Sequence, residues 1–465
     1  MNDLPTEENP NEGQDDLNIT KKLEQGFNQI LHPFQSFIQD EITGSVLLLI
    51  CTIAALVLAN SDYAQAYQAL IHTKIGLFAG DWRFEKSVHH WINDGLMSLF
   101  FFVLGLEIKR EFLVGELKNP AQSITVIASA LGGMCVPALV YYGFNAGSIG
   151  VSGWGIPMAT DTAFAIGVLA LLRKHVPPAL TTFLVALAII DDIGAILVIA
   201  LFYTDMISTA HILLTFSIIM LLFICNLIGI RRPSFYLSIG IIAWLTALGS
   251  GVHASIIGIL VAITVPARPV HSPSWLLKQT RKLTRVIRER EVKKADDETI
   301  LADDKQHNAA ELLRERAEQA TTPLRRWEHA LQRPVVLFVL PIFALANAGI
   351  PFEMSTLVSQ LANPVSLGVI MGLLLGKGLG ITMFGWLAVR SGLGRLPTGM
   401  TLQHIPGIAL LGGIGFTMST FIATLGFAQD PQLLLIAKTG ILVGSLMSGV
   451  AGYIWLRFYC RKPGA

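Results

Sequence analysis

Two adjacent aspartates, Asp191 and Asp192, interrupt the apolar stretch VALAIIDDIGAILVIALF. A carboxylate near the centre of a bilayer costs about 2.5–3.5 kcal/mol on insertion scales, so such a residue is treated as functional by default. Neighbours on a helix point about 100° apart, and therefore one carboxylate can line an aqueous cavity while the other turns toward an adjacent helix. This arrangement indicates a site that binds protons or a small cation. The alternative is a static buried ion pair, although that role needs only one aspartate.

A few other charged residues also lie inside apolar segments. They are Asp94 in WINDGLM, Asp161 in GIPMATDTAFAIGVLALL and Lys377 in LLLGKGLG. Carboxylates predominate in this set, which favours a site that selects cations. Lys377 is the mid-segment lysine that we expect to pair with an aspartate, and Asp191 is its predicted partner.

Two segments carry residues that break helices. GIPMATD contains Gly155 and Pro157, and LLGGIGFTMSTF is rich in glycine, so both are predicted to be interrupted inside the membrane. Close packing through small residues is the alternative explanation. Facing half-helix N-termini are partly positive and facing C-termini partly negative, so Asp161 is predicted to offset the former and Lys377 the latter. Direct ion ligation by Asp161 stays open, and Thr160 offers a hydroxyl and a carbonyl to a cation.

The composition is that of a membrane protein, with 52% hydrophobic and 14% charged residues, against roughly 25% charged in soluble domains. The formal net charge of +1 gives no reason to expect a nucleic-acid partner. Loops after even-numbered apolar segments carry Lys and Arg, whereas loops after odd-numbered segments carry almost none. This pattern places both termini in the cytoplasm. Twelve apolar runs can cross a bilayer, and they centre near residues 51, 101, 131, 164, 191, 219, 242, 259, 341, 375, 415 and 444.

The predicted fold class is an all-α polytopic membrane protein with twelve transmembrane helices. Segments 3–5 and 10–12 are expected to be inverted-topology repeats, with segments 4 and 11 interrupted, as in secondary transporters. The charged cytoplasmic loop, residues 267–333, is expected to be a solvated surface without a catalytic role. The predicted divisions are a cytoplasmic extension (1–41) with an amphipathic surface helix, transmembrane segments 1–8 (42–266), the charged cytoplasmic loop (267–333), transmembrane segments 9–12 (334–460) and a cytoplasmic tail (461–465).

Several motifs in order resemble the NhaA-type sodium/proton antiporters of bacterial inner membranes, from about residue 40 to 460. The motifs are WINDGLMSLFFFVLGLEIKRE, ATDTAFAIGVLALL, ALAIIDDIGAILVIALFYT, SGVHA, FALANAG, GKGLGI and GIGFTMS. The resemblance implies that the fourth and eleventh helices cross at mid-membrane. It also implies a multi-pass inner-membrane protein that exchanges external protons for internal sodium or lithium.

The resemblance further implies roles for particular residues. Ion and proton binding falls to Asp191, Asp192 and Thr160, with Asp192 as the sodium ligand, while Asp161 and Lys377 balance the crossed helix ends. Asp94 matches an acidic residue one layer behind the ligands. The cytoplasmic entrance and pH response are implied for Glu107, Glu111, His253 and Glu328, together with His329. A helix-end histidine without a sensor role is an equally open interpretation of His253. Residues 74–86 occupy the position of a hairpin associated with homodimers.

The predicted mechanism is competition between sodium and protons for one pair of carboxylates, without an enzyme activity or a cofactor. Release of two protons for one sodium ion makes exchange electrogenic, although the count of protons changes if Lys377 also titrates. Coupled carboxylates also make activity depend on pH. A sodium-coupled symporter is the nearest alternative, but the motifs offer few polar groups for an organic solute. An intramembrane aspartyl protease would need a GxGD motif, and Gly80-Asp81 lacks its first glycine.

Overall fold

A computed structural model of the chain describes residues 41–79, 82–115, 120–204, 208–269, 271–293, 304–352 and 354–459. The predicted surface helix within residues 20–41, apart from its last residue, and the tail 461–465 lie outside these ranges.

Helices make up most of the described chain. In chain order they are α1 (Glu41–Ala59), α2 (Ala64–His72), α3 (Val88–Val114), α4 (Pro120–Asn145), a 3₁₀ helix (Ile149–Met158), α5 (Thr162–Leu171), α6 (Ala179–Phe202), α7 (Thr209–Ile228), α8 (Pro233–Ala247), α9 (Ser255–Thr264), α10 (Pro273–Lys293), α11 (Asp304–Ala320), α12 (Pro323–Asn347), α13 (Met354–Ala362), α14 (Pro364–Arg390), α15 (His404–Gly412), α16 (Phe416–Gly426) and α17 (Pro431–Tyr459).

The lengths and compositions of these helices are those of a polytopic membrane protein. Within the described ranges, eight helices are long and apolar enough to cross a bilayer, and the number rises to ten if each of two bent helix pairs is one span. The first pair is the 3₁₀ helix with α5, bent by 45°, and the second is α15 with α16, bent by 44°. The helical, multi-pass class predicted from the sequence is therefore confirmed, and the two bends fall at the predicted helix breakers.

A short β-hairpin departs from the all-helical pattern. Strands β1 (Lys74–Ala79) and β2 (Trp82–Ser87) pair in antiparallel register, from Lys74 opposite Ser87 to Ala79 opposite Trp82. The hairpin lies between α2 and α3, within the segment that the resemblance marked at residues 74–86. In the sequence the pair Gly80-Asp81 separates the two strands, and glycine in the first position of a two-residue loop is a hairpin signal that sequence reasoning missed.

Close packing of α4 against α14 fixes the centre of the molecule. A Cβ atom built on Gly380 would overlap the carbonyl oxygen of Gly132, and one built on Gly376 would lie 2.6 Å from Pro137 Cα. Small residues at such crossings let two backbones approach to a distance that larger side chains forbid. A π-helical turn, Gly372–Gly376, precedes Lys377 in α14. The glycine contacts and the π turn together set the position of the lysine.

Candidate functional site

The two helix breaks lie against each other in the middle of the molecule. Residues 159–161 separate the 3₁₀ helix from α5, and residues 413–415 separate α15 from α16. The backbone N–H of Asp161 donates to Ile414 O at 2.6 Å, and Ser419 Oγ donates to Ile156 O at 2.7 Å. A broken helix leaves backbone groups without partners, and in apolar surroundings they must find new ones. Here each break supplies partners to the other.

Asp161 caps the N-termini of two helices at once. Its Oδ1 accepts from Phe164 N (3.2 Å) in α5, and its Oδ2 accepts from Thr417 N (2.9 Å) and Thr417 Oγ1 (2.5 Å) in α16. Both N-termini carry partial positive charge and unpaired N–H groups, which a carboxylate satisfies together. All three contacts are hydrogen bonds from the chain itself, so both carboxylate oxygens of Asp161 are already engaged.

Thr160, Asp191 and Lys377 form a fully buried contact group, with each residue 0% exposed. Lys377 Nζ lies 2.5 Å from Asp191 Oδ2 and 2.7 Å from Thr160 Oγ1. Thr160 Oγ1 is also 2.9 Å from Asp191 Oδ2 and 2.7 Å from Gly412 O. The single hydroxyl proton of Thr160 can be donated to either Asp191 or Gly412 O but not to both, while the hydroxyl oxygen accepts from the Lys377 ammonium. Gly412 ends α15, so this group joins three helices at the crossing.

Asp192 sits beside this group with fewer contacts. It is 3% exposed, and its Oδ1 has no hydrogen-bond partner among the described residues. Asp191 Oδ1 is unpartnered in the same sense. The charges that act on Asp192 belong to Asp191, Lys377, Glu107 and Asp161. Buried carboxylate oxygens without hydrogen-bond partners are uncommon in folded proteins, and such groups are often functional.

Space beside Asp191 is created by a glycine on α4. A Cβ built on Gly133 would lie 3.8 Å from Asp191 Oδ1 and only 2.7 Å from Ile381 of α14. A Cβ at this position would therefore touch the Asp191 oxygen at an ordinary van der Waals distance, but it would clash with the Ile381 side chain, which would have to shift. Within the described part of the chain, no group of three or more His, Cys, Asp or Glu is arranged to hold a metal ion. A cation bound here would need the two aspartates and further oxygen ligands.

The predicted entrance residues Glu107, Glu111 and Glu328 meet around Arg110. The Arg110 guanidinium is 2.8 Å from Glu111 Oε1, 2.8 Å from Glu328 Oε1 and 3.9 Å from Glu107 Oε1. Glu328 comes from α12, whereas the other three residues lie on the last turns of α3. The cluster therefore ties α12 to α3 through charges that are partly exposed.

His253 lies apart from that cluster. It precedes α9, and its Nε2 is 2.5 Å from Tyr203 O at the end of α6. Lys109, which is adjacent to the cluster, donates to Ile263 O and Val265 O at the opposite end of α9. A ten-residue helix is about 15 Å long. The structure therefore places His253 at the end of α9 opposite to the Arg110 cluster and does not bring it together with Glu107, Glu111 and Glu328.

Asp94 also lies outside the buried group. It is part of a π-helical turn, Trp91–Leu96, and its Oδ2 is 2.8 Å from His90 Nε2. Its carbonyl accepts from Ser98 Oγ and, at 3.2 Å, from Trp244 Nε1. These contacts join α3 to α8 rather than to the aspartate pair.

Sequence reasoning missed several polar residues that the fold brings together. Thr417 contributes two donors to Asp161, and the signal was its place two residues after the GGIG breaker, in the first turn of α16. Lys438 lies within the span α17 and is a second lysine inside an apolar segment, in addition to Lys377. His89 Nε2 is 3.1 Å from Asn347 Oδ1, and Asn347 Nδ2 donates to Asn93 Oδ1 at 2.8 Å. The motifs WIND and FALANAG therefore meet through these side chains.

Two bent helix pairs that meet beside a buried carboxylate pair and a buried lysine are the arrangement typical of secondary transporters. The family profile described as Na+/H+ antiporter 1 matches residues 35–456. The chain belongs to this family.

Curated relatives align with this chain over nearly its whole length. The chain is 48% identical over 440 residues to Na(+)/H(+) antiporter NhaA 1 of Shewanella denitrificans, covering 95% of this chain and 97% of the relative. It is 49% identical over 440 residues to Na(+)/H(+) antiporter NhaA 2 of Psychromonas ingrahamii, covering 95% and 92%. It is also 44% identical over 439 residues to Na(+)/H(+) antiporter NhaA of Sulfurimonas denitrificans, covering 94% and 98%.

Proposed function

We propose that the protein is a secondary transporter that exchanges external protons for internal sodium or lithium. The observation that carries the proposal is the buried carboxylate pair, where Asp191 and Asp192 each keep one oxygen without a hydrogen-bond partner among the described residues. Carboxylate oxygens bind either a proton or a hard cation such as sodium, and the two ligands compete for the same lone pairs. Membership of the antiporter family supports the same assignment.

The two aspartates have different neighbours, and this difference supports different roles for Asp191 and Asp192 in ion binding. Lys377 holds one oxygen of Asp191 at 2.5 Å, so sodium must compete with an ammonium for that carboxylate. Asp192 has no such partner, and we assign it as the principal sodium ligand. Thr160 adds a hydroxyl oxygen beside Asp191. Asp161 acts on the helix ends rather than on the ion, because its oxygens are taken by Thr417 and Phe164.

Exchange then follows from charge compensation. Sodium entering from the cytoplasm releases the proton of Asp192 and a second proton held by Asp191 or Lys377, and external protons later expel the sodium. Two protons for one sodium ion make the cycle electrogenic. Because the groups are within a few ångströms of one another, their titration is shared, and transport depends on pH. The Arg110 cluster of Glu107, Glu111 and Glu328 lies at the cytoplasmic entrance in this scheme.

The proposed architecture has twelve crossings, with the bent pairs as the fourth and eleventh. Eight long helices, the two bent pairs and the two shorter apolar helices α8 and α9 supply them. Segments 3–5 and 10–12 are then repeats of opposite topology, consistent with the packing of α4 against α14. The distribution of basic loops supports cytoplasmic termini in an inner membrane. We assign the β1–β2 hairpin as the contact of a homodimer.

Everted membrane vesicles test the exchange directly. Respiration acidifies the vesicle interior, a pH-sensitive dye reports the gradient, and sodium, lithium or potassium is then added. Dequenching by sodium and lithium, but not by potassium, is the expected result. Absence of a response to any of the ions over about pH 6.5–9, where histidines and perturbed carboxylates titrate, refutes the proposal.

A matched pair of variants tests the site. Asp192→Asn keeps the shape of the side chain but removes the exchangeable charge, so it should abolish dequenching while membrane insertion is retained. Asp430→Asn is the control, because Asp430 caps α17 through Gln432 N and Leu433 N, and asparagine caps a helix equally well. Full activity in Asp192→Asn would remove this residue from the site.

A further inference from the structure

Helices α10 and α11 form a charged hairpin that the exchange site does not use. The hairpin begins soon after the apolar helix α9, which ends at Thr264, and α10 starts at Pro273. At its other end α11 finishes at Ala320, and the apolar helix α12 starts at Pro323. Both ends of the hairpin are therefore held within a few residues of helices that enter the membrane.

The base of the hairpin is fastened to those helices. Arg326 of α12 donates from Nη2 to Glu318 Oε2 at 2.9 Å and from Nη1 to Glu318 O at 3.2 Å. The backbone N–H of His271 donates to Gln319 O at 3.3 Å, which closes the hairpin. Trp275 at the start of α10 stacks on His271 with ring centroids 3.9 Å apart. The hairpin is therefore bonded to the membrane helix that follows it.

One face of α10 is basic and exposed. Its four cations recur at the spacing i, i+3, i+4 and i+7, which places them on one side of a helix. All four side chains are exposed, and no acidic residue occurs between Pro273 and Arg285. The half-buried residues Leu276 and Leu283 lie on the opposite side. The basic face consists of Lys278, Arg281, Lys282 and Arg285.

Apolar side chains flank this basic face. Leu277 is 61% exposed at one edge, and Trp275 lies near the other edge, where Arg316 of α11 sits 5.4 Å from its ring. Cations on one face with aromatic and aliphatic residues beside them are typical of helices that lie in a membrane interface. Lys278, Arg281 and Lys282 form no ion pair with other described residues.

We propose that the basic face of α10 is a docking surface for anionic lipid headgroups of the adjacent leaflet. Charge complementarity and position select this occupant: the leaflet is anionic, and both ends of the hairpin join helices that enter it. The hairpin is also joined to the Arg110 cluster by a short series of contacts. Glu318 of the hairpin holds Arg326, and two residues further along α12 Glu328 meets Arg110 of the entrance cluster.

Depth measurements on the full-length protein test the docking. A spin label is attached at Ser274→Cys, an exposed position on the basic face, after the native cysteines Cys51, Cys135, Cys225 and Cys460 are replaced. The protein is placed in nanodiscs of phosphatidylcholine alone or with phosphatidylglycerol. We expect the label to gain oxygen accessibility and lose accessibility to a water-soluble nickel complex when phosphatidylglycerol is present. A label at Ala317→Cys, exposed on α11, should remain aqueous in both lipids.

Charge variants and salt complete the test. The triple variant K278Q/R281Q/K282Q should lose the lipid-dependent shift of the label at Ser274→Cys. The control R173Q/K174Q/R395Q removes the same charge from other exposed loops and should keep the shift. Raising salt from about 0.1 M to 1 M shortens the Debye length from about 10 Å to 3 Å and should reverse the shift.

Three outcomes overturn the proposal. They are an unchanged label in both lipids, a triple variant that shifts like the parent, and a shift produced by soluble polyphosphate in phosphatidylcholine but not by phosphatidylglycerol. The last outcome would identify a soluble polyanion as the occupant. The label reports depth rather than ion exchange, so failure here leaves the proposed antiport standing, and the reverse also holds.

Discussion

The buried pair of Lys377 and Asp191 makes a quantitative prediction about stability. Both side chains are 0% exposed, and their charged atoms are 2.5 Å apart. Removing one partner of a buried ion pair leaves an uncompensated charge and costs about 3–5 kcal/mol, whereas replacing both partners with neutral groups of similar size costs far less. Lys377→Met and Asp191→Asn should therefore each destabilise the protein by about 3 kcal/mol or more.

The double variant should be more stable than either single variant. If both charges are removed, no buried charge is left unpaired, and Thr160 can still donate to Gly412 O at 2.7 Å. We expect a coupling free energy of about 3 kcal/mol between the two substitutions, which is more than a hundredfold in the unfolding equilibrium constant. The sign of this coupling free energy is the important feature, because the second substitution should restore part of the stability that the first one removes.

Equilibrium unfolding in mixed detergent micelles, followed by circular dichroism, measures the four free energies of unfolding. The control cycle uses His90→Gln and Asp94→Asn, whose side chains are 2.8 Å apart but 42% and 18% exposed. Solvent-exposed ion pairs contribute about 0–1 kcal/mol, so this second coupling should be small. Additive losses for Lys377 and Asp191 would refute the reasoning, because they would mean that the two charges do not interact in the folded protein.

Three further predictions rest on single contacts. Asp161→Asn should lower the free energy of unfolding by about 1–2 kcal/mol, because asparagine can cap one helix N-terminus but not accept from both; stability equal to the parent would contradict the double cap. Gly380→Ala should lower the free energy of unfolding by about 1–3 kcal/mol, because the added Cβ pushes α14 away from the Gly132 carbonyl. Gly378→Ala should be tolerated, because the nearest atom to its added Cβ is 3.4 Å away. Equal losses of stability on thermal unfolding would count against this packing. Tyr67→Phe should cost about 1 kcal/mol, because the phenol donates to a carbonyl of α12 at 2.6 Å. Burial raises the Tyr67 pKa to about 12, so the loss of stability in Tyr67→Phe should be equal at pH 7 and pH 9. Above about pH 10 the tyrosine ionises in the unfolded parent but not in the folded parent, which favours unfolding. The difference in the free energy of unfolding between parent and variant should therefore shrink.

Sequence patterns predicted the class of fold because their signals are local. A run of apolar residues of bilayer length identifies a membrane helix without knowledge of its neighbours. Pro157 and the glycines at 412, 413 and 415 weaken helices wherever those helices are placed, and the bends fall at these positions. The positions of Asp161, Asp191 and Lys377 inside apolar runs likewise mark them for function before any contact is known.

The partners of those residues are set by packing between distant parts of the chain. Thr417 contacts Asp161 although the two residues are 256 positions apart in the sequence, and Lys377 contacts Asp191 although they are 186 positions apart. Neither contact follows from helical periodicity, because each joins helices that are far apart in the sequence. For the same reason the sequence did not show that His253 and the Arg110 cluster lie at opposite ends of α9.

The sequence by itself determined that this chain crosses a membrane many times, where its helices break, and which ionisable residues lie in apolar segments. Each of these is a property of a short stretch in an apolar solvent, where a charge or an unpaired N–H is costly. Only the tertiary structure decided that Asp161 caps two helices, how Lys377 and its predicted partner Asp191 meet, and that Asp192 keeps an oxygen without a hydrogen-bond partner among the described residues. Those facts depend on how the crossed helices meet, because packing alone determines which buried polar groups satisfy one another.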